Sequence, residues 1–229
     1  MKYILKYTFS LLFVLFSIVG NAQVKDTTKV AQRYGLRVGL DLHRLTKSFY
    51  DKDYKGLEVV GDYRISKKFY IAGELGNEDK TVDDDRFNFT TKGTYFKVGF
   101  DYNAYENWLD MENMLYVGMR YSVSSFNHTL NSYTIYDSTN YYGENTITTG
   151  EKFSGLNASW IEVVGGLKAK VINNFYVGFS IRLNYIVSDK KPDNFDNLYI
   201  PGYNRTYDGK FGAGFNYTLS YMIPLYKKK

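Results

Sequence analysis

Residues 210–226 read Lys-Phe-Gly-Ala-Gly-Phe-Asn-Tyr-Thr-Leu-Ser-Tyr-Met-Ile-Pro-Leu-Tyr. Phe211, Ala213, Phe215, Tyr217, Leu219, Tyr221 and Ile223 fall on every second position, with Gly212, Gly214, Asn216, Thr218 and Ser220 between them. A period of two is the strand period, so one face of this segment is apolar and aromatic and the other small and polar. That pattern suits a strand showing apolar groups to lipid and polar groups to the inside of a barrel.

The same alternation recurs through the chain. Residues 34–44 set Leu36, Val38, Leu40 and Leu42 against Arg37, Gly39, Asp41 and His43. Further strands are predicted over 55–65, 69–75, 93–103, 114–126, 158–171 and 175–187. The last is the clearest, with Phe175, Val177, Phe179, Ile181, Leu183 and Tyr185 against Tyr176, Gly178, Ser180, Arg182 and Asn184. Residues 66–68 and 173–174 read as tight turns. Residues 46–54, 77–92, 127–157 and 188–209 read as long polar connections, within which 132–136 and 145–148 could extend the flanking strands beyond the membrane, and 104–113, which holds Trp108, as a medium one. No segment beyond the leader shows a convincing helical period.

Segment lengths are of the order of the ~9–11 residues that cross a bilayer as a strand. Bacterial barrels place short turns in the periplasm and long loops outside. The connections therefore predict both ends of the barrel chain on the periplasmic side, a sorting of loops that a soluble sandwich has no reason to show. The expected fold is all-β: an eight-stranded antiparallel up-and-down transmembrane β-barrel, a meander over 34–226. A periplasmic lead at 23–33 precedes it and a basic tail at 227–229 follows.

The first residues have the anatomy of a secretory leader. Lys2 and Lys6 are its positive region, residues 9–19 its apolar run, and Gly20-Asn21-Ala22 its small-residue cleavage site. The run is shorter than the ~20 residues of a spanning helix, so removal of 1–22 and export to the bacterial outer membrane are expected. The chain has no cysteine, which excludes disulfides, thiolate metal sites and a lipid anchor on that residue. Formal net charge is +5, and loss of Lys2 and Lys6 leaves +3. This mild excess is no nucleic-acid footprint.

The chain resembles the small OmpA/OmpX-like outer-membrane barrel class. The Asn-Ala-Gln cleavage site and the Tyr- and Asn-rich loops further resemble uncharacterised barrel families of Bacteroidota. Barrels of this class carry a final-strand assembly signal, and Lys210, Gly212, Phe215 and Tyr217 match its pattern, although Pro224 and a lysine tail follow here. The resemblance implies contact with outer-membrane lipid and lipopolysaccharide, handling by the barrel-assembly machinery, and a monomer.

The inward face carries the charge. Alternation sends Arg37, Asp41, Glu58, Asp62, Arg64, Glu74, Lys97, Asp101, Arg120, Glu162, Lys168 and Arg182 into the lumen. An eight-stranded interior is just filled by side chains, and unpaired buried charges are costly. A salt-bridged plug is therefore expected, with a narrow channel or small pocket as the alternative. A lipid-modifying enzyme needs a base beside a hydroxyl. Ser124, Ser125 and His128 are the weak candidates for acyl transfer or deacylation, and His43 is expected to face inward. Asp83, Asp84 and Asp85, near Glu78 and Asp79, are weak candidates for a divalent cation. Asp26-Thr27-Thr28 and Asp137-Ser138-Thr139 match a short O-glycosylation pattern used by Bacteroidota. No cofactor is expected. The sequence points to a non-enzymatic barrel with a structural or loop-mediated surface-binding role, its ligand unnamed.

Overall fold

A computed structural model describes residues 32–105, 112–135, 145–192, 197–203, 205–207 and 209–228. In chain order the elements are β1 (Gln32–Asp41), α1 (Leu42–Tyr50), β2 (Tyr54–Arg64), β3 (Phe69–Asp83), β4 (Phe87–Asn103), β5 (Met114–Ile135), β6 (Asn145–Ile172), β7 (Phe175–Asp189), β8 (Arg205–Tyr207) and β9 (Phe211–Lys228). Neighbouring strands pair antiparallel in sequence order, and β1 pairs with β9 to close the ring. Eight strands form the wall. The three-residue β8 only extends the free edge of β9 at Phe211–Ala213.

Each strand keeps the period of two. On β7, Val177, Phe179, Ile181, Leu183 and Tyr185 are exposed, while Tyr176, Ser180, Arg182 and Asn184 are buried. The tight turns fall where expected. Asn174 takes φ 66, a left-handed conformation that asparagine tolerates better than most residues, and it connects β6 to β7 in two residues.

Three features differ from the sequence expectation. The first is the length of the strands. The segments read as loops at 77–92 and 127–157 are largely strand: β3 and β4 pair out to Asp83↔Asn88, and β5 and β6 out to Ile135↔Asn145. Alternation continues into the first residues of these extensions with opposite chemistry. Met119, Tyr121 and Val123 are exposed, with Arg120, Ser122 and Ser124 buried beneath. One step further, Ser125 is exposed and Phe126 is buried. On β6, Ile161 and Val163 are exposed around buried Glu162, whereas Asn157 is exposed beside buried Leu156. The polarity of the wall inverts at this height.

The second is the end of the first strand. It stops at Asp41, whose carboxylate accepts from the His43 amide at 2.8 Å and caps a helix. Residues 42–50, read as strand end and polar loop, are α1. The helix ends where the Asp51 amide bonds to the Lys47 carbonyl at 2.9 Å. The third is the chain end, where Lys227 and Lys228 belong to β9 and pair with Arg33 and Gln32.

The early stop of β1 leaves a seam. β1 pairs with β2 no higher than Leu40↔Val59 and with β9 no higher than Asp41↔Thr218. Above that level α1 lies between β2 and β9. Ser48 Oγ takes the Gly56 amide at 2.8 Å and donates to the Gly56 carbonyl at 3.2 Å or the Arg44 carbonyl at 3.0 Å, while Thr46 Oγ1 meets the Tyr217 hydroxyl at 2.5 Å. The leader, its cleavage site, Trp108 and both glycosylation patterns lie outside the described residues.

Candidate functional site

The interior of the barrel is the candidate site, built in layers. At the end with the short turns, Arg37 of β1 lies between the rings of Tyr70 and Tyr176, 4.9 and 5.2 Å from their centroids. It donates to Asp62 of β2 at 2.7 Å, and Lys168 of β6 reaches the second Asp62 oxygen at 2.5 Å. Arg64 lies nearby at the rim. It donates to the Ser66, Arg33 and Lys67 carbonyls and to Gln32 Oε1. Backbone carbonyls thus take the place of the carboxylates that alternation suggested for it.

The middle layer is ionic. Arg182 of β7 grips Glu74 of β3 through two nitrogens, at 2.7 and 2.9 Å, and reaches Glu162 of β6 at 2.9 Å. Lys97 of β4 donates to Glu162 at 2.8 Å and stands 3.8 Å from Glu74. Arg120 of β5 pairs with Asp101 at 2.7 Å and lies 3.5 Å from Glu74. Arg182–Glu74, Lys97–Glu162 and Arg120–Glu74 join strands that are not neighbours in the sheet, whereas Arg182–Glu162, Lys97–Glu74 and Arg120–Asp101 tie adjacent strands. Charge-assisted, two-pronged Arg–carboxylate pairs are the strong kind, and each partner here is buried.

The upper layer is aromatic. Trp160, Tyr203, Tyr95, Phe126, Leu156, Ile186 and Ile200 form one buried cluster. Trp160 ties the layers together, with its indole N–H on Glu162 at 2.7 Å and its ring edge against Tyr203.

A second ionic knot closes the mouth beneath α1. Arg44, buried on the helix, meets Asp41, Glu58 and Glu78. Glu78 also accepts from Tyr54 at 2.7 Å, Tyr199 at 2.8 Å and the Gly202 amide at 2.9 Å. Gly202 sits at φ +82, where a Cβ would strike the Tyr95 ring, so glycine lets that backbone approach the carboxylate. Glu58 accepts from Tyr95 at 2.6 Å, and Asn216 donates to Asp41. Sequence reading missed Arg44, Glu78, Tyr199 and Tyr203. The available signals were the capping Asp41 ahead of Leu42, Leu45 and Phe49 at helical spacing, and the continued alternation Glu74, Gly76, Glu78.

The remaining candidates are dispersed. Ser124 faces inward and donates to the Thr94 carbonyl at 3.3 Å, whereas Ser125 faces outward. His128 is inward and buried, but four strand residues separate it from Ser124, a rise of about 13 Å. That is far beyond the reach nucleophile activation needs. Thr91 Oγ1 lies 2.5 Å from His128 Nδ1, with Phe89 and Phe126 edge-on. Burial holds this imidazole down at about 4, against the opposing effect of the hydrogen bond it donates to Asn197.

His43, expected inside, is on α1 and lies tilted against the rings of Phe215 and Tyr217, with centroids 4.7 and 5.7 Å away. The helix turned it away from the lumen. Asp83 accepts from Asn88 and Asp84 from the Asp85 amide, while Glu78 points inward and Asp79 pairs with Lys92. Among the described residues no three His, Cys, Asp or Glu side chains gather to hold a metal ion.

No curated protein matches the chain. Among solved structures it is similar to that of Ail, the attachment invasion locus protein of Yersinia pestis, at 9% identity and a TM-score of 0.41. That match covers 84% of this chain and 99% of the other. The sequence profile of one family matches residues 2–228, and the chain therefore belongs to it: the family described as Domain of unknown function (DUF6048).

Proposed function

We propose that this chain is a non-conducting outer-membrane barrel that contributes to envelope structure and presents its long outer hairpins for surface binding. The observation that carries the proposal is the inversion of wall polarity. Around the ring, Leu36, Val59, Ile71, Val98, Val117, Val163, Phe179 and Leu219 are all exposed, while the layer behind them is ionic. A soluble barrel would leave this apolar band in water, whereas a bilayer covers it. Above the band the same strands return to polar outside and aromatic inside, as in a water-exposed domain. The leader expected at residues 1–22 directs export, the apolar band of an exported barrel then suits the outer membrane, and the shared side of the short turns and both barrel ends makes that side periplasmic. Lipid and lipopolysaccharide contact the band, and the assembly machinery inserts a single copy.

Sealing follows from pairing. Arg182, Glu74, Glu162 and Lys97 meet across the lumen within hydrogen-bond or ion-pair distance. Separating them to admit a hydrated ion would leave buried charges unpaired. Membrane fractionation with N-terminal sequencing, followed by planar-bilayer recording of the refolded protein, tests both parts. Recovery with outer membranes, a start at Gln23 and no stable conductance are expected. A soluble product that keeps Met1 would overturn the location, and reproducible single-channel steps would overturn the seal.

A further inference from the structure

The amphipathicity of α1 is reversed relative to a helix that packs on a soluble core. Its polar side faces the barrel. Arg44 enters the ionic knot, Ser48 bonds Gly56, and the Lys47 ammonium lies 4.3 Å from the centre of the buried Tyr54 ring. Its apolar side faces away. Phe49 is 83% exposed and Tyr50 73%, more than any other large apolar side chain among the described residues. Leu42 and Leu45 occupy the same helix face at i−7 and i−4 from Phe49, and both are only half-buried.

That face is continuous with the apolar band. α1 starts two residues after Leu40, an exposed member of the band, and His43 lies against the outward ring of Phe215. The helix stands in a seam where β2 and β9 no longer share a strand. In hydrocarbon, a segment replacing a strand must satisfy its own backbone hydrogen bonds, and a helix does so while an open loop does not.

We infer that α1 is an interfacial helix that docks its Leu42, Leu45, Phe49 and Tyr50 face into the acyl chains of the outer leaflet, completing the barrel wall on its lipid side. The inference rests on the membrane reading above. Helices with a strong apolar face and a polar opposite face lie in the interface in this way. The partner is the lipid surface. The exposed aromatic pair enters lipid, while Arg44 holds the helix to the lumen.

The chain has no native cysteine, so single cysteines give unique labels. Phe49→Cys, Tyr50→Cys, Val38→Cys in the band and Lys152→Cys on exposed β6 would each carry a nitroxide in protein refolded into phosphatidylcholine vesicles. Accessibility to oxygen and to a water-soluble nickel chelate is then compared by power saturation. The oxygen-to-nickel ratio at positions 49 and 50 should match that at 38 and exceed that at 152 severalfold. If positions 49 and 50 instead match 152 while 38 remains lipid-like, α1 faces water or a protein partner and the inference is overturned alone. If 38 also matches 152, the membrane reading falls and the inference falls with it.

Discussion

Two heights of one wall differ in what they bury. At the level of Met119 the barrel hides Arg120, Glu74 and Arg182, and shows methionine, leucine and valine to its surroundings. At the level of Ser125 and Asn157 it hides Phe126, Leu156 and Trp160, and shows serine and asparagine. The strands are continuous, and on β5 the period of two runs unbroken from Met119 to Phe126. The difference teaches that the period of two fixes only which side chains share a face. The surrounding medium decides which face is apolar. Where lipid supplies the apolar phase, the interior must carry its polar groups as pairs. Where the outer face turns polar, the interior gains an aromatic cluster, packed beside the buried Arg44, Glu58 and Glu78.

The largest effect should come from breaking the ionic layer. Glu74→Ala removes the shared partner of Arg182, Lys97 and Arg120, leaving three buried cations with only Glu162 and Asp101 to offset them. A loss of roughly 3–5 kcal/mol is expected, read by urea titration of the refolded protein. A loss below 1 kcal/mol would mean that water already solvates this layer. The upper layer should respond differently. Leu156→Ala opens a cavity worth about 2–4 kcal/mol, and its effect should stay local: hydrogen exchange should quicken in the outer parts of β5 and β6 while amides at band level keep their protection. Equal loosening throughout would merge the two layers into one cooperative unit.

A matched pair locates the boundary between them. Met119→Arg places a cation on the outward face at band level and should cost about 2–4 kcal/mol in a bilayer. Ser125→Arg, outward on the same strand but past the inversion, should stay within about 0.5 kcal/mol. Equal costs would put the boundary elsewhere. The smallest effect concerns acid. Burial lowers the His128 imidazole to about 4, below its ordinary value near 6.5. The neutral ring is therefore favoured by folding, and its contribution, present above about pH 6.5, is lost as pH falls toward 4. His128→Gln should flatten that part of the stability–pH curve measured by urea titration. An unchanged slope would show that the ring titrates equally in both states.

Much of this was written along the chain. Alternation from Leu36 to Leu40 and from Phe175 to Tyr185 gave the strands, their faces, and the charged residues turned inward, because side-chain direction in a strand is a local property of the backbone. Asn173-Asn174 marked its turn for the same local reason. The sequence also contained the capping signal at Asp41, but Leu40 and Leu42 prolong the strand alternation across it, so the helix was masked by a competing period. The extension of β5 and β6 was partly legible at 132–136 and 145–148, but that of β3 and β4 was masked, since polar residues on its exposed face resemble loop composition.

What only the tertiary structure decided is who meets whom. Arg182 and Glu74 lie 108 residues apart, and ring closure with a particular register brings them into contact across the lumen. Arg44 became a lumen residue because β1 stops short and α1 fills the seam between β2 and β9. Arg64 found carbonyls instead of carboxylates because it lies at the rim. A sequence determines the direction of each side chain from its neighbours, but a partner across a closed barrel is set by the geometry of all eight strands at once.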